Sequence, residues 1–392
     1  MNGKLQPRRQ GFKAIFMETL SEMARRPVYW IGMFVLPLFM SVLFGTLMND
    51  GLPTRIPAAI VDLDHSDMSR DLTQNIAGMQ MVDLKDAEES FTSARESMQE
   101  GNIFGFFLIP ENFQQDLLAG RKPVISFYTN YTFYIPATLL FKTFKTTAVY
   151  TKAETVQMVF STAGVNGGSG VLLPVSISAR GLNNPELNYS IYLTNSFLPC
   201  LFQLMIMMMT AYSLGEEIKY GRSRRLLHQA GNSVLKAVFT RLLPQTLIWM
   251  VELFFMVSLL YKWCHFPMNG SWGWLLLSEF LFVLASQGFA LFLFCMVPNL
   301  RLALSSCALT GILSFSLGAF SFPYESMYGG IAVFSWILPT RYNFLIYIDQ
   351  ALNGIDIYYS RWWYIAYIIF ILLPLPLMGR LKKYMAKPVY VP

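Results

Sequence analysis

Six long apolar runs dominate the pattern of hydrophobic and polar residues along the chain. They cover approximately residues 28–48, 193–214, 240–261, 273–297, 302–322 and 361–379. A helix needs about 20 mostly apolar residues to cross a bilayer, so each run predicts one membrane span. No small-residue cleavage site follows the first run, which we therefore expect to be retained. The pattern predicts a polytopic α-helical membrane protein with six transmembrane helices.

The polar region between the first two runs alternates between strand and helix periods. Strands are predicted at 58–61, 80–84, 103–109, 124–128 and 171–179. Helices are predicted at 66–76 with Ser66 or Asp67 as cap, at 86–99, from Pro110 to Gly120, and at 134–162. Strands that alternate with helices are typical of an α/β layer, so we predict an inserted α/β domain at 49–192 with a mostly parallel sheet.

Two motifs in this region suggest ligands, but each has a simpler structural interpretation. Residues 164–170 are rich in glycine, yet they lack the Lys-Ser/Thr ending of a phosphate-binding loop and are interpreted as a linker. Asp62, Asp64 and Asp67 lack the spacing of a calcium loop. We therefore interpret them as a polar strand end followed by a helix cap.

The distribution of basic residues predicts the orientation of the spans. If the N-terminus is inside, the short inner segments carry 17 Lys and Arg residues and the short outer loops carry three. Positively charged loops favour the cytoplasmic side, so both termini are predicted there, with residues 380–392 as a basic tail. The outer face would then hold the domain at 49–192. This bias also accounts for the net charge of +6 without a nucleic-acid partner.

The composition of the chain argues against several kinds of functional site. Charged residues make up only 14% of the chain, against about 25% in soluble domains. The four cysteines lie outside the polar region 49–190, and the three histidines are scattered, so neither a disulfide framework nor a metal site is expected. The sequence shows neither a P-loop nor a nucleophile–base pattern. We therefore expect no catalytic residues and no bound cofactor.

An amphipathic helix is predicted within residues 1–27. Apolar residues at helical spacing lie opposite charged ones; the first set is Phe12, Ile15, Phe16, Leu20 and Met23, and the second is Lys13, Glu18 and Glu22. Such a helix lies in the membrane interface. It would act either as an elbow that moves the first span or as a passive anchor.

The last outer segment, residues 323–360, is too apolar for a solvated loop and contains Pro339. We predict a helix–break–helix that dips partly into the membrane, since irregular backbone at that depth must be covered by protein. The alternative is an amphipathic helix on the outer surface. Pro339, Arg341 and Tyr342 are candidate outer-gate residues.

Several polar residues fall inside the predicted spans. Glu252 and Glu279 are the charged ones, and Gln203, Gln245 and Gln287 are neutral. An ionisable group within a span is costly and usually faces protein or a cavity. These residues are candidates either for a substrate path or gate, or for structural hydrogen bonds between helices.

Three groups of residues follow each other along the chain in a recognisable order. They are Ile56 to Asp64 with Ser66, Ser69 and Arg70; Gly105 to Pro110 with Asn112, Phe113 and Leu117 to Gly120; and Leu338 to Tyr342 with Gly354. In this order and in the six-span layout, the chain resembles the permeases of type-2 ATP-binding-cassette (ABC) exporters, particularly those with a large domain between the first two spans. In this family a short helix between spans two and three contacts the ATPase subunit. The corresponding segment here is 215–236.

Candidate coupling residues follow from that resemblance; they are Glu216, Glu217, Gly221, Arg222, Arg224, Arg225 and Leu226. Relatives often have Gly-Thr followed by an acidic residue, whereas here Arg222 follows Gly221 and Arg224 replaces the acid. From the residues alone, an ordinary positively charged inner loop is the favoured interpretation.

The resemblance implies a permease subunit of an exporter in the inner membrane. Its expected partners are ABC ATPase subunits that hold ATP and magnesium, a second permease chain, and a periplasmic adaptor protein. Two other classes remain open: a membrane-anchored scaffold or sensor whose outer domain binds a partner, and an ion-coupled secondary transporter.

Overall fold

The chain folds as two compact units, which are described separately. One comprises Met1–Gly51 and Gly181–Pro392, and the other comprises Leu52–Arg180. The computed structural model describes residues 11–47, 54–85, 90–119, 121, 123–130, 133, 136–145, 189–320, 322 and 324–388.

Among the described residues of the first unit, six helices are long and apolar enough to cross a membrane, as predicted. They are Pro27–Thr46, Ser190–Lys219, Val234–Trp263, Trp272–Met296, Leu300–Leu317 and Ile357–Ala386, hereafter spans 1 to 6. Large side chains fill the space between them; Phe202, Trp249, Phe282, Phe294 and Tyr367 are almost completely buried. Such close-packed aromatic groups make the largest contribution to burial in a core.

The C-terminal end of span 2 and the N-terminal end of span 3 both extend beyond the predicted bounds. Span 2 continues to Lys219 rather than ending at 214, so Glu216 and Glu217 lie on the helix and not in a loop. Span 3 begins at Val234 rather than 240, because the Ser233 side chain accepts a hydrogen bond from the Lys236 amide and caps the helix. Average hydropathy falls where charged residues begin, so the predicted spans end there, whereas the helices continue.

Spans 5 and 6 also depart from the prediction. Span 5 ends at Leu317 rather than 322, because the helix stops at Gly318 and Ala319 takes a positive φ of 61°. Span 6 consists of Ile357–Leu372 and Met378–Ala386, separated by a short irregular stretch after Pro374. The basic residues predicted for a tail at 380–392 therefore begin on this second helix.

The predicted N-terminal helix is present at Phe12–Arg25 and packs against span 3. Its buried face consists of Ile15, Thr19 and Met23, whereas Phe12 and Leu20 are exposed. An apolar face that lies in the membrane interface would also leave such side chains exposed within the chain, so the interfacial position of this helix stays a prediction. A single apolar stripe does not describe this helix, because polar groups also face the protein.

The segment between spans 5 and 6 forms two helices with a sharp break, as predicted. Gly329–Ser335 and Pro339–Asn353 meet at an angle of 78°, which makes them either a broken span or a re-entrant loop. Pro339 occupies the first turn of the second helix, where its missing N–H group costs nothing. Penetration of the membrane by this segment stays a prediction.

The second unit contains a four-stranded sheet. The strands are β1 (Ile56–Asp62), β2 (Val82–Leu84), β3 (Gly105–Ile109) and β4 (Ser126–Thr129), in the spatial order β2-β1-β3-β4. β1 pairs in parallel with β2 and β3, and β4 is antiparallel to β3. Helices Asp67–Ala77, Phe91–Glu100 and Phe113–Leu118 follow the first three strands.

Local predictions for this unit had mixed outcomes. Ser66 caps the helix Asp67–Ala77, as predicted, and Asp62 accepts hydrogen bonds at the end of β1, including one of 2.6 Å from the Ser69 hydroxyl. The placement of Pro110 at a helix start was wrong, since that helix begins after Asn112. The helix predicted at 134–162 is described only at 136–145. Gly120, the motif 164–170 and the strand 171–179 lie outside the described residues.

Candidate functional site

The segment between spans 2 and 3 is a compact turn–helix–turn. Its helix, Ser223–Gln229, is hereafter called the loop helix. Gly221 precedes it with a φ of 67°, and Gly231 follows it with a φ of 66°. Glycine adopts this left-handed conformation without the strain that a Cβ atom would add, so it suits both reversals of the chain. Two glycines thus hold a seven-residue helix between two long spans.

The loop helix is anchored by its apolar side. Leu226 and Leu227 are about 5% and 4% exposed. The Ser223 hydroxyl donates a hydrogen bond of 3.1 Å to the Met385 carbonyl of the last helix, Met378–Ala386. Leu381 and Met385 of that helix are also buried. The loop helix is therefore fixed to the end of span 6 as well as to spans 2 and 3.

Arg222 joins the loop helix to two acidic residues of different helices. Its guanidinium forms an ion pair with Glu22 of the N-terminal helix and lies 3.2 Å from a carboxylate oxygen of Glu217 in span 2. A guanidinium has five donors in a planar fork, which suits contact with more than one carboxylate. The predicted coupling residues Arg222 and Glu217 are therefore brought together by the fold.

Arg241 of span 3 is the most buried cation of this cluster and was not among the predicted site residues. Its guanidinium lies 2.7 Å from Glu22 and 3.1 Å from Glu217, and its side chain is only 4% exposed. It also donates hydrogen bonds to Ser213 and Thr19. A basic residue at the end of an apolar run, inside a helix rather than before it, was the signal that could have identified it.

Further ion pairs extend the cluster. Arg26 pairs with Glu216 and Glu22, and the Tyr212 hydroxyl donates a hydrogen bond of 2.9 Å to Glu216. At the periphery, Arg225 pairs with Glu18, and both side chains are more than 40% exposed. We call the eight residues the charge cluster; its members are Glu18, Glu22, Arg26, Glu216, Glu217, Arg222, Arg225 and Arg241. It connects the N-terminal helix, the loop helix and spans 2 and 3.

Glu22 is shared by three arginines of the charge cluster. Its partial burial raises the pKa of the carboxyl, but attraction and hydrogen bonds from Arg241 and Arg222 outweigh this and lower the pKa below its ordinary value. The net direction means that Glu22 is held in its charged form. The cluster thus contains a carboxylate whose ionisation depends on the arginines beside it.

One face of the loop helix remains exposed. Arg224 and His228 point away from the packed side, and Arg224 makes no ion pair with any described residue. Tyr220, at the entrance to the segment, is 59% exposed. The exposed face therefore offers positive charge and an aromatic ring, whereas the other arginines of the segment are neutralised by glutamates.

The glutamates predicted inside the spans have different surroundings. In span 4, Glu279 accepts a hydrogen bond of 3.1 Å from the Asn343 amide, and it borders a cavity of about 10 Å³ together with Asn195 and Tyr347. In span 3, Glu252 is 6% exposed, and one of its carboxylate oxygens has no described hydrogen-bond partner. The structure thus gives Glu279 a partner from the broken helix pair.

The three glutamines predicted inside the spans also differ in their partners. Gln203 donates a hydrogen bond of 2.8 Å to Ser314 and accepts one of 2.9 Å from the Thr340 amide, so it joins spans 2 and 5 to the break at Pro339. Gln287 accepts a hydrogen bond from Thr246. Neither polar atom of the Gln245 side chain has a partner among the described residues.

The predicted outer-gate residues lie in an aromatic cluster. The Arg341 guanidinium is stacked 4.1 Å from the Trp336 ring centroid and 4.9 Å from that of Tyr324, and it donates a hydrogen bond to Ser335. The Tyr342 hydroxyl donates to the Trp336 carbonyl. These contacts hold the two helices of the break against each other. Their role as a gate stays a prediction.

Comparison with known protein families identifies the family of this chain. Residues 27–377 match the model of a protein family described as ABC-2 family transporter protein. No curated protein matches the chain. The family match contains spans 1 to 5, the loop helix and span 6 as far as residue 377. It does not include the N-terminal helix, which carries Glu18 and Glu22 of the charge cluster and is followed directly by Arg26.

Proposed function

The chain belongs to the ABC-2 family of transporter proteins and is a membrane component of an ABC transporter; on that premise we propose that it is the permease subunit of an exporter. ABC-2 permeases normally work with an ATPase subunit. In the proposed complex, ATP and magnesium are bound by separate ATPase chains, and the energy of hydrolysis drives a substrate outward through this chain and a second permease.

The charge cluster is the observation that supports this proposal most directly. A force applied to the exposed face of the loop helix has two short routes into the membrane unit. One route runs through Arg222 to Glu22 and the N-terminal helix, and the other runs through Arg222 to Glu217 and span 2. Arg241 connects span 3 to both of these glutamates. Partly buried ion pairs keep a fixed geometry better than exposed ones, so these contacts can transmit displacement.

The arrangement suggests a division of roles among the predicted coupling residues. Arg224 lies on the exposed face of the loop helix and would contact the ATPase. Arg222, Glu216 and Glu217 would transmit the movement, while Leu226 and Gly221 keep the loop helix in place. When the ATPase subunits close, the N-terminal helix and the ends of spans 2 and 3 would shift together and open a path between the two permeases.

The remaining parts of the proposal concern topology and partners. Both termini would lie in the cytoplasm, and the α/β unit with its parallel strands would lie outside it, between spans 1 and 2. The helix pair within 323–360 would dip into the outer leaflet. In a cell with two membranes, the inner membrane would hold the complex, and the outer unit would contact a periplasmic adaptor protein. The basic bias of the inner loops supports this orientation.

Affinity purification of the full chain, co-expressed with a candidate ABC ATPase from the same genome, tests the proposal. We expect the ATPase to co-purify, and Arg224→Glu to lower the recovered amount severalfold because it reverses charge on the docking face. Lys236→Glu is the matched control, since Lys236 is equally exposed but lies outside the loop helix, at the start of span 3. A chain that purifies without any ATPase, or equal losses in both variants, would count against the proposal.

A further inference from the structure

An apolar groove separates the N-terminal helix from spans 1 and 3. Its volume is about 220 Å³, and its wall includes Leu20, Met23, Trp30, Met33, Phe34 and Ile248. Apolar cavities of about 150 Å³ already bind benzene, and a volume of 220 Å³ corresponds to about seven groups of the size of a water molecule. The space is therefore sufficient for a segment of a hydrocarbon chain.

The groove opens toward the outside of the unit rather than being sealed in its core. Leu20 and Trp30 on its rim are 40% and 49% exposed, whereas Met23 and Met33 at its base are at most 4% exposed. Trp30 donates a ring N–H hydrogen bond of 2.9 Å to the Ala24 carbonyl, so both rim elements are joined at this point. In a membrane such a rim faces lipid, and tryptophan is enriched at the level of the lipid headgroups.

One basic residue is next in sequence to the lining of the groove. Arg25 follows the lining residue Ala24, is exposed, and has no ion pair with any described residue. The adjacent Arg26 differs, because Glu216 and Glu22 already neutralise it. Arg25 is thus the basic group available to an anion at this position. An apolar groove beside a free cation matches a ligand with a hydrocarbon chain and an anionic head.

We propose that this groove binds one acyl chain of an anionic glycerophospholipid, with the phosphate-bearing headgroup on Arg25. The lipid would fill the space between the N-terminal helix and span 1 and would hold the helix at the membrane surface. This inference does not depend on the proposed export function, because the groove belongs to the isolated chain. An uncharged or zwitterionic lipid with the same acyl chains would fill the groove but gain less from Arg25.

Photo-crosslinking of the full chain in lipid nanodiscs tests the acyl-chain part. The probe is a phosphatidylglycerol with a diazirine in one acyl chain, and the labelled residues are located by mass spectrometry. We expect labels at the groove residues of the N-terminal helix and span 1. Leu20→Trp, which enlarges a side chain of the rim, should reduce this labelling severalfold, and the milder Ala24→Leu should reduce it in part.

Met17→Trp provides the matched control, because Met17 lies on the same helix, is 54% exposed and does not line the groove. It should leave the labelling unchanged. Equal labelling in the wild type, Leu20→Trp and Ala24→Leu would overturn the proposal, as would an equal loss in Met17→Trp.

A comparison of two lipid headgroups tests the assignment of the anionic headgroup to Arg25. A phosphatidylcholine probe with the same diazirine chain should label the groove about two- to fivefold less than phosphatidylglycerol, the ratio expected for an exposed ion pair of up to about 1 kcal/mol. Arg25→Gln should bring the two probes to equal labelling while leaving the labelled sites the same. Equal labelling by both probes in the wild type, or a preference that persists in Arg25→Gln, would contradict the assignment of Arg25.

Discussion

The Arg241 guanidinium of span 3 lies 2.7 Å from the Glu22 carboxylate of the N-terminal helix. This contact joins residues that are 219 positions apart in the chain, and it places a cation that is 4% exposed against an acid that is 15% exposed. Loss of either residue would remove a counter-charge from a poorly solvated position. The pair is therefore the centre of the charge cluster.

Arg241→Leu should destabilise the chain strongly. Removal of the arginine leaves Glu22 and Glu217 without their most buried partner, and breaking a buried pair typically costs about 3–5 kcal/mol. Arg225→Leu is the control, because the Arg225–Glu18 pair is more than 40% exposed on both sides and such pairs contribute about 0–1 kcal/mol. Thermal unfolding in detergent micelles measures the difference. Equal shifts in melting temperature would show that burial of the cluster has no energetic consequence.

The charge cluster should also make stability depend on pH. The pKa of Glu22 is lowered in the folded chain from an ordinary value of 4.5. Its contribution to stability is therefore complete above 4.5 and is lost as the pH falls through the lowered value. The melting temperature of the wild type minus that of Glu22→Gln should stay constant from neutral pH to about 4.5 and then shrink. A difference that grows on acidification would contradict the assigned direction.

Gln203 and Gln245 form a matched pair of fully buried amides with different partners. Gln203→Leu removes hydrogen bonds to Ser314 and Thr340 and leaves a backbone N–H group unpaired, so we expect a loss of about 1–2 kcal/mol in the free energy of unfolding. Gln245→Leu should be neutral or stabilising, because its amide atoms have no described partner. Denaturant titration of both variants measures this. The opposite order would show that the amide contacts of Gln203 are not what holds the break at Pro339.

Spans 2 and 5 approach each other closely at Gly311. A Cβ atom there would lie 2.4 Å from a side-chain carbon of Leu204 and 3.1 Å from its Cα atom. Gly311→Val should therefore separate the two spans and cost about 1–3 kcal/mol. Gly379→Ala is the control, since no heavy atom lies within 4 Å of the position where its Cβ would be. It should be neutral or slightly stabilising in its helix, and thermal unfolding distinguishes the two variants.

Hydropathy was sufficient to predict the six spans but not their ends. Span 2 continues past Gly215 because its last turn places Glu216 and Glu217 opposite arginines, which a hydropathy average counts as a break. The break at Pro339 was predictable, since the proline and the surrounding apolar residues are both local signals. The bend of 78° was not, because the segment also contacts residues far away in sequence, such as Gln203 of span 2, which accepts a hydrogen bond from the Thr340 amide.

The candidate site was also predictable only in part. The resemblance to known permeases directed attention to 215–236, and Arg222 and Glu217 do meet there. A role for the N-terminal helix as an elbow or anchor was predicted, but the ion pairs of its Glu18 and Glu22 were not. Their partners, Arg225, Arg222 and Arg241, lie about 200 residues away in sequence. Only the three-dimensional fold reveals such pairs.

The most direct test of the central claim, that an ATPase docks on the loop helix, is photo-crosslinking from two positions at opposite ends of span 3. A photo-reactive amino acid replaces either Arg224 next to one end or Trp263 at the other, about 45 Å away along a helix of 30 residues. Trp263 is 78% exposed and Arg224 is also exposed, so both positions are accessible. We predict that the first position crosslinks to the ABC ATPase in intact cells and that the second does not. Crosslinks to the ATPase from position 263, or none from position 224 in a chain that is correctly inserted, would contradict the account.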